Sequence, residues 1–165
     1  MNMKKPFETI VAEHGATVLR VCRAVVGFDD ADDAWSETFI SAMKAYPALP
    51  DDANVQAWLV TIAHRKAIDI IRVHKRIAIP VDVVPDHPSS LGVPGSVDTE
   101  IWDHVKSLPT KQRQVIAYHY LAGLPYQEIA EILGGTTDAA RRAAADGIKS
   151  LRKMFVGTDS KGASE

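Results

Sequence analysis

Six histidines, one cysteine and 21 carboxylates are the side chains of this 165-residue chain that could ligate metal, move protons or attack an electrophile. Their spacing gathers none of them. His14, His64, His74, His87, His104 and His119 form no His-Glu-x-x-His pair, and Cys22 stands alone, so neither a metal site nor a disulfide is expected. No Gly-rich phosphate loop, nucleophile elbow or kinase signature occurs, so no cofactor is expected and an enzyme is the weakest reading. What the spacing does gather is charge. Asp29, Asp30, Asp32, Asp33 and Glu37 follow one another without a base, whereas residues 64–76 hold Arg65, Lys66, Arg72, Lys75 and Arg76 against Asp69 alone. A net charge of −2 conceals this segregation. The basic run suits a polyanion with unpaired bases, because its cations hold phosphates and Trp58, one turn before the Thr61/Arg65 line, offers a ring for stacking. Half of the acidic cluster needs no such purpose, since carboxylates favour the dipole at a helix N-terminus.

Helices must position these residues. Apolar spacing of three and four predicts three in the first half. The first turns Phe7, Ile10, Val11, Val18, Val21, Cys22 and Val25 inward and stops at Gly27; the second turns Ala31, Trp35, Phe39, Ala42 and Tyr46 inward and ends before Pro47. The third runs from an Asn54 cap to about His74 with Leu59, Ile62, Ala63, Ala67, Ile70 and Ile71 inward. Its opposite face carries Thr61, Arg65, Asp69, Arg72 and Arg76. Pro80, Pro85, Pro88 and Pro94, with Gly92, Gly95 and three serines, mark a linker; Ile79-Pro-Val-Asp-Val-Val within it reads as extended chain rather than an edge strand. Beyond it lie four shorter helices, with Val115, Ile116, His119 and Tyr120 sharing an inward face and His119 packed or capping. The fold class is therefore all-α: two small helical domains, 1–76 and 98–156, joined by a flexible Pro/Gly/Ser linker over 77–97 and followed by a disordered tail, 157–165. Units this small hide only ~60% of their unfolded surface and are marginal alone.

Residues 126–145 place Ala130 fifth, Gly134 ninth and Ala140 fifteenth, the arrangement of a helix-turn-helix. Alanine allows the two helices close approach, glycine takes the left-handed turn, and the fifteenth side chain packs back on the first helix. An ordinary helical hairpin is the plainer account of the same residues. As a helix-turn-helix, Thr137, Asp138, Arg141 and Arg142 begin the recognition helix and face the major groove. Arg20 and Arg23 break the most apolar early stretch, 16–28, which is too short to span a bilayer. A cytoplasmic protein without membrane contact is expected, with Cys22 a small core residue in a reducing compartment.

On these residues the chain resembles the extracytoplasmic-function (ECF) sigma factors of bacterial RNA polymerase, in the sigma-seventy superfamily. Asp30-Ala-Asp-Asp-Ala-Trp-Ser-Glu-Thr-Phe39 is similar to the family's Asp-Ala-Glu-Asp-Leu-Val-Gln-Glu-Thr-Phe segment, and Ala57-Trp-Leu-Val-Thr-Ile-Ala63 with Asp69 and Arg72 to its Trp-Leu-x-x-Ile-Ala helix. Leu108-Pro-Thr-Lys-Gln-Arg113 and Gly123-Leu-Pro-Tyr-Gln-Glu-Ile-Ala-Glu-Ile-Leu-Gly134 resemble its second DNA-binding domain.

The resemblance implies an alternative sigma factor that binds core RNA polymerase, directs it to specific promoters and helps open the minus-ten region. It assigns Asp33, Ser36, Glu37 and Ile40 to a coiled coil of the polymerase largest subunit. Trp58, Thr61, Arg65, Lys66, Asp69, Arg72 and Arg76 fall to promoter melting, with a loop at 46–55 capturing an unstacked base. Thr137, Asp138, Arg141 and Arg142 fall to the minus-thirty-five element. The implied partners are core polymerase, promoter DNA and an anti-sigma factor. A 21-residue linker reaches at most ~70 Å, and two duplex turns span roughly 70 Å, so the domains need not touch each other. Ser36 stands where the family has Gln and Arg65 where it has Asn, and Ala143, Ala144, Ala145 and Asp146 replace bases in the last helix. Weak, polymerase-dependent DNA binding follows. The alternative is a sigma-like stand-alone DNA-binding regulator or decoy that opens no promoter; the basic helix of residues 58–76, for which a simple repressor has no use, argues against it.

Overall fold

The computed structural model describes residues 4–77, 101 and 104–162, with side chains as far as Phe155. Helix α1 spans Phe7–Val26 and ends at Gly27, whose φ of 89° only glycine adopts readily and whose N–H caps the carbonyl of Arg23. Helix α2, Phe28–Ala45, starts at once with Asp29 and Asp30 in its first turn, where carboxylates oppose the dipole. Pro47 has no N–H to continue the ladder, and the chain leaves α2 through a short 3-10 turn, Tyr46–Ala48. Helix α3, Val55–Ile77, is entered through Asn54, whose Oδ1 accepts the N–H of Ala57 at 3.1 Å, and it ends in His74, Lys75 and Arg76. These three helices enclose Ile10, Val18, Cys22, Ala31, Phe39, Ala42, Leu59, Ile62 and Ala63, from the inward stripes that the spacing predicts, together with Ala34, which those stripes do not include. Phe7, Trp35, Phe39 and Tyr46 close one end with tilted ring pairs. Burial pushes the Cys22 thiol up to about 12, which makes it an inert packing group.

In the second lobe α4, Thr110–Ile116, runs without a break into a π-helical turn, Ala117–Leu121, closed by the N–H of Ala122 on the carbonyl of Ala117. That wide turn corrects the expected inward face. Tyr118 is fully buried, His119 is half-buried and Tyr120 points outward, because the extra residue per turn rotates the stripe by about one position. His119 does pack and cap: its Nδ1 lies 2.8 Å from the carbonyl oxygen of Leu124 and its ring stacks on Tyr126. Helix α5, Tyr126–Leu133, closes on Gly134 at φ 79°, with the N–H groups of Gly134 and Gly135 both on the carbonyl of Ala130. Thr136 Oγ1 caps Ala139 N–H at 3.1 Å and opens α6, Thr137–Gly162. Ala130 and Ala140 are buried where the two helices cross, as the helix-turn-helix spacing requires.

Helix α6 continues to Gly162. Extending a helix already nucleated takes one hydrogen bond per residue fixed, so a polar sequence can prolong it. The rest of the tail and the linker beyond Ile77, with its segment 79–84, lie outside the described residues. Among the described residues there is no strand, and the architecture is all-α.

The lobes do touch. One apolar cluster unites Val21, Ala24 and Val25 of α1 and Val60 and Ala67 of α3 with Val115, Ala117, Tyr118, Ala122, Leu124 and Ile129 of the second lobe. Two lobes too small to bury much surface alone hide more by sharing a seam.

Candidate nucleic-acid interface

Helix α2 buries Ala31, Ala34, Thr38, Phe39 and Ala42, which leaves Asp33, Ser36, Glu37 and Ile40 exposed together on its outward face. Thr38 sits in the core only because its hydroxyl donates to the carbonyl of Ala34 at 2.6 Å. Ile40 is 48% exposed, and one turn on Met43 is 55% exposed, so two large apolar side chains stand in solvent beside an acidic rim. Sequence reasoning missed Met43, although its place three residues after Ile40 is the signal. The rim is tied to α3 at two points: Asp30 to His74 at 2.8 Å and Glu37 to Lys66 at 3.9 Å.

Along α3, Arg65, Asp69, Arg72 and Arg76 are exposed in one row. Thr61 is half-buried and its hydroxyl donates back to the carbonyl of Ala57 at 2.7 Å, while Lys66 turns round the helix toward Glu37. Trp58 does not stand free. It is half-buried, its ring 6.3 Å from that of Tyr46, so only part of the indole can meet a ligand. At the N-terminal end of α3 a cleft of about 580 Å³ opens behind the 46–55 loop, between Tyr46, Leu49 and Asn54 on one side and Gly123 and Leu124 on the other. The loop is held from outside: Tyr46 donates its hydroxyl to the carbonyl of Lys5 at 2.5 Å, and Lys4 Nζ donates to that of Leu49 at 2.5 Å.

At the start of α6, Thr137 is half-buried and Asp138, Arg141 and Arg142 are exposed. Asp138 and Arg141 approach at 3.9 Å in open solvent, a pair worth little that leaves the guanidinium available. Beside them runs a groove lined by Tyr120, Tyr126, Arg141, Ile148, Lys149 and Arg152, with no carboxylate. Partial burial and the neighbouring Tyr120 hold the Tyr126 phenol above its usual range, so it stays a neutral donor, and the nearby Arg141 opposes that rise. Tyr120, Tyr126, Lys149 and Arg152 are further candidates beyond those read from the sequence. The row Arg141, Ala145, Lys149 and Arg152 was legible by spacing; the outward turn of Tyr120 was not. Among the described residues no three His, Cys, Asp or Glu side chains converge as metal ligands, and no helix is long and apolar enough to cross a membrane.

The chain thus comprises two helical lobes, the second a helix-turn-helix, with an acidic-apolar face and a cationic row on the first. The family models give the class: Sigma-70 region 2 matches residues 10–77 and Sigma-70, region 4 matches residues 99–151. Among curated proteins the chain is 25% identical to the RNA polymerase sigma factor SigV of Bacillus subtilis, covering 92% of each. It is 29% identical to the ECF RNA polymerase sigma factor SigD of Mycobacterium tuberculosis, covering 84% of this chain and 72% of that one. Among solved structures it is similar to CnrH in complex with the cytosolic domain of CnrY, with a TM-score of 0.69, 22% identity and coverage of 92% and 88%. It is likewise similar to the sigma factor RpoE in complex with the anti-sigma factor NepR from Bartonella quintana, with a TM-score of 0.73, 18% identity and coverage of 90% and 96%. The chain belongs to the sigma-70 family, in its extracytoplasmic-function branch. It is an alternative sigma factor, directing promoter-specific initiation of transcription.

Proposed function

We infer that this sigma factor docks on core RNA polymerase through the outward face of α2, with Asp33, Ser36, Glu37, Ile40 and Met43 as contacts. The exposed row Arg65, Arg72 and Arg76 then holds the backbone of the non-template strand, with Thr61, Lys66 and Asp69 at its edges and Trp58 at its head. The cleft behind the 46–55 loop is the receptacle for an unstacked base. Thr137, Asp138, Arg141 and Arg142 read a minus-thirty-five element in the major groove, while Tyr120, Tyr126, Lys149 and Arg152 line the backbone beside it. An anti-sigma protein is the regulator this reading includes, as in the complex of RpoE with the anti-sigma factor NepR, and the cytoplasm is where it acts.

The observation that carries the reading is the placement of the cleft at the N-terminal end of α3, from which the cations run toward its C-terminal end. A flipped base and the strand that follows it need that order. Abortive transcription with purified core enzyme on a bubble promoter tests it. Product dependent on this chain is expected; a chain that binds duplex DNA but yields no product with core would instead be the stand-alone regulator.

A further inference from the structure

Lys75 belongs to the basic run of residues 64–76 but not to the cationic row. One residue before Arg76, it is turned about 100° round α3 from that side chain, and it lines a separate cleft of about 280 Å³. Val25 and Val26 at the end of α1 wall this cleft with Ile70 and Ile71 of α3, and its polar groups are His74, Lys75 and Arg113, the last from α4. Lys106 stands close by, since a Cβ on Gly27, the residue after Val26, would come within 2.6 Å of its Nζ. Against these cations stands Asp30, 2.8 Å from His74.

Arg113 is the group whose needs the fold leaves unmet. A guanidinium carries five N–H donors, yet here Nη1 donates to the carbonyl of Lys106 at 3.1 Å, Nη2 reaches the Thr110 hydroxyl at 3.4 Å, and Nε is buried without a partner. Both acceptors are neutral. A half-buried cation served in this way gains from an approaching anion, and its planar fork matches the oxygens of a phosphate. The rest of the lining is aliphatic. Mostly apolar walls with a few convergent polar groups are the form of a small-molecule site, and this volume lies just below the ~300–1,000 Å³ usual for one. An inorganic anion would leave the four aliphatic side chains unused, and a nucleic-acid strand meets its cations on another side of α3.

We propose that this cleft binds a small organic phosphate, its charged end on Arg113 and Lys75 and its apolar body against Val25, Val26, Ile70 and Ile71. The site is separate from the DNA surfaces assigned above, and it stands or falls independently of them.

Phenyl phosphate is the probe, titrated into the full chain with methyl-labelled valine and isoleucine and followed by NMR. The methyls of Val25, Ile70 and Ile71 should shift and saturate, whereas those of Ile148, in the cationic groove beside α6, should not. Affinity should exceed that for inorganic phosphate by about tenfold, because the ring is buried as well, and phenol, which lacks the charge, should not saturate the site. Lys75→Gln, at an exposed position, and Arg113→Lys, which keeps the charge but loses the fork, should each weaken binding by about tenfold. A short single-stranded oligonucleotide distinguishes a free ligand from a strand phosphate, and it should not displace phenyl phosphate. Displacement by the oligonucleotide overturns the proposal, as do equal shifts at Ile148 or an affinity unchanged in either variant. Inorganic phosphate bound as tightly as phenyl phosphate overturns the assignment of an organic ligand. No outcome depends on polymerase or promoter, so failure here leaves the promoter reading untouched.

Discussion

Tyr118 and His64 meet at 2.6 Å across the seam, phenol hydroxyl to imidazole Nδ1, with the rings edge to face at 82°. A neutral imidazole accepts that bond. Burial, and secondarily the charge of the adjacent Arg65, hold His64 below its ordinary value of 6.5. Between that lowered value and 6.5 the unfolded chain carries a proton that the folded chain does not, so stability rises with pH across this window. Above it, neither state is protonated and the full contribution is present; it is lost as pH falls below 6.5. Replacing His64 by Gln should destabilise the chain by about 1 kcal/mol at pH 7.5 and by less at pH 5.5, as read from urea midpoints. An equal gap at the two pH values would show that His64 does not titrate against the seam.

Ile40 and Met43 are exposed at 48% and 55% with Glu37 beside them, an apolar pair inside an acidic rim. Nothing in the fold requires them there, so truncation should leave thermal stability within about 0.5 kcal/mol. On the proposed polymerase face they occupy the centre, where a few apolar anchors carry most of the affinity. Ile40→Ala and Met43→Ala should each weaken binding to core enzyme by about tenfold, the cost of ~1.4 kcal/mol, without altering circular dichroism. Unchanged affinity in a titration of labelled chain with core would remove α2's outward face from the interface.

Gly134 and Gly135 separate a conformational requirement from mere turn composition. Gly134 holds φ 79° at the end of α5, whereas Gly135 has no such angle, and a Cβ on either would meet nothing within 4 Å. The penalty at Gly134 is therefore one of backbone alone. Gly134→Ala should cost about 1–2 kcal/mol, and Gly135→Ala should stay within about 0.5 kcal/mol, both by chemical denaturation.

That contrast also marks how far the residues could be read before the fold was known. Local rules sufficed where one residue decides one geometry: Gly27 and Gly134 as stops, Asn54 as a cap, and the inward stripes of α1, α2 and α3. The π turn defeated them, because a wide turn at Ala117–Leu121 has no composition of its own and displaces every later residue on the stripe. Trp58 shows the same limit at the candidate site. Its type and spacing suit stacking on a base, yet its half-burial against Tyr46 depends on how α2 leaves through Pro47, a tertiary matter. The seam was illegible for another reason: Ala67 and Ile71 belong to the inward stripe of α3 in the sequence, Val60 lies off that stripe, and nothing in their spacing says that a second lobe covers them.

The groove beside α6 bears on how strongly the second lobe grips DNA. Ala143, Ala144, Ala145 and Asp146 leave the middle of the candidate recognition helix without a cation, the ground on which weak binding is expected. Ala143 and Ala144 are buried in the structure, so bases there would not fit without repacking, and the helix meets its neighbours through small side chains instead. Cations resume at Lys149 and Arg152, on the row that starts at Arg141, with the Tyr120 and Tyr126 phenols across the groove. Each phosphate contact made by a cation releases about one counterion. Lys149→Ala and Arg152→Ala should thus each lower the log-log salt slope of promoter binding by about one, measured with the polymerase complex, and should do so alike on different sequences. Tyr120→Phe, which removes a neutral donor, should weaken binding while leaving the slope unchanged. Arg142, exposed at the start of α6 and outside the groove, should instead change which sequence is preferred. Slopes that stay put in both lysine and arginine variants would mean that the strand does not pass through this groove.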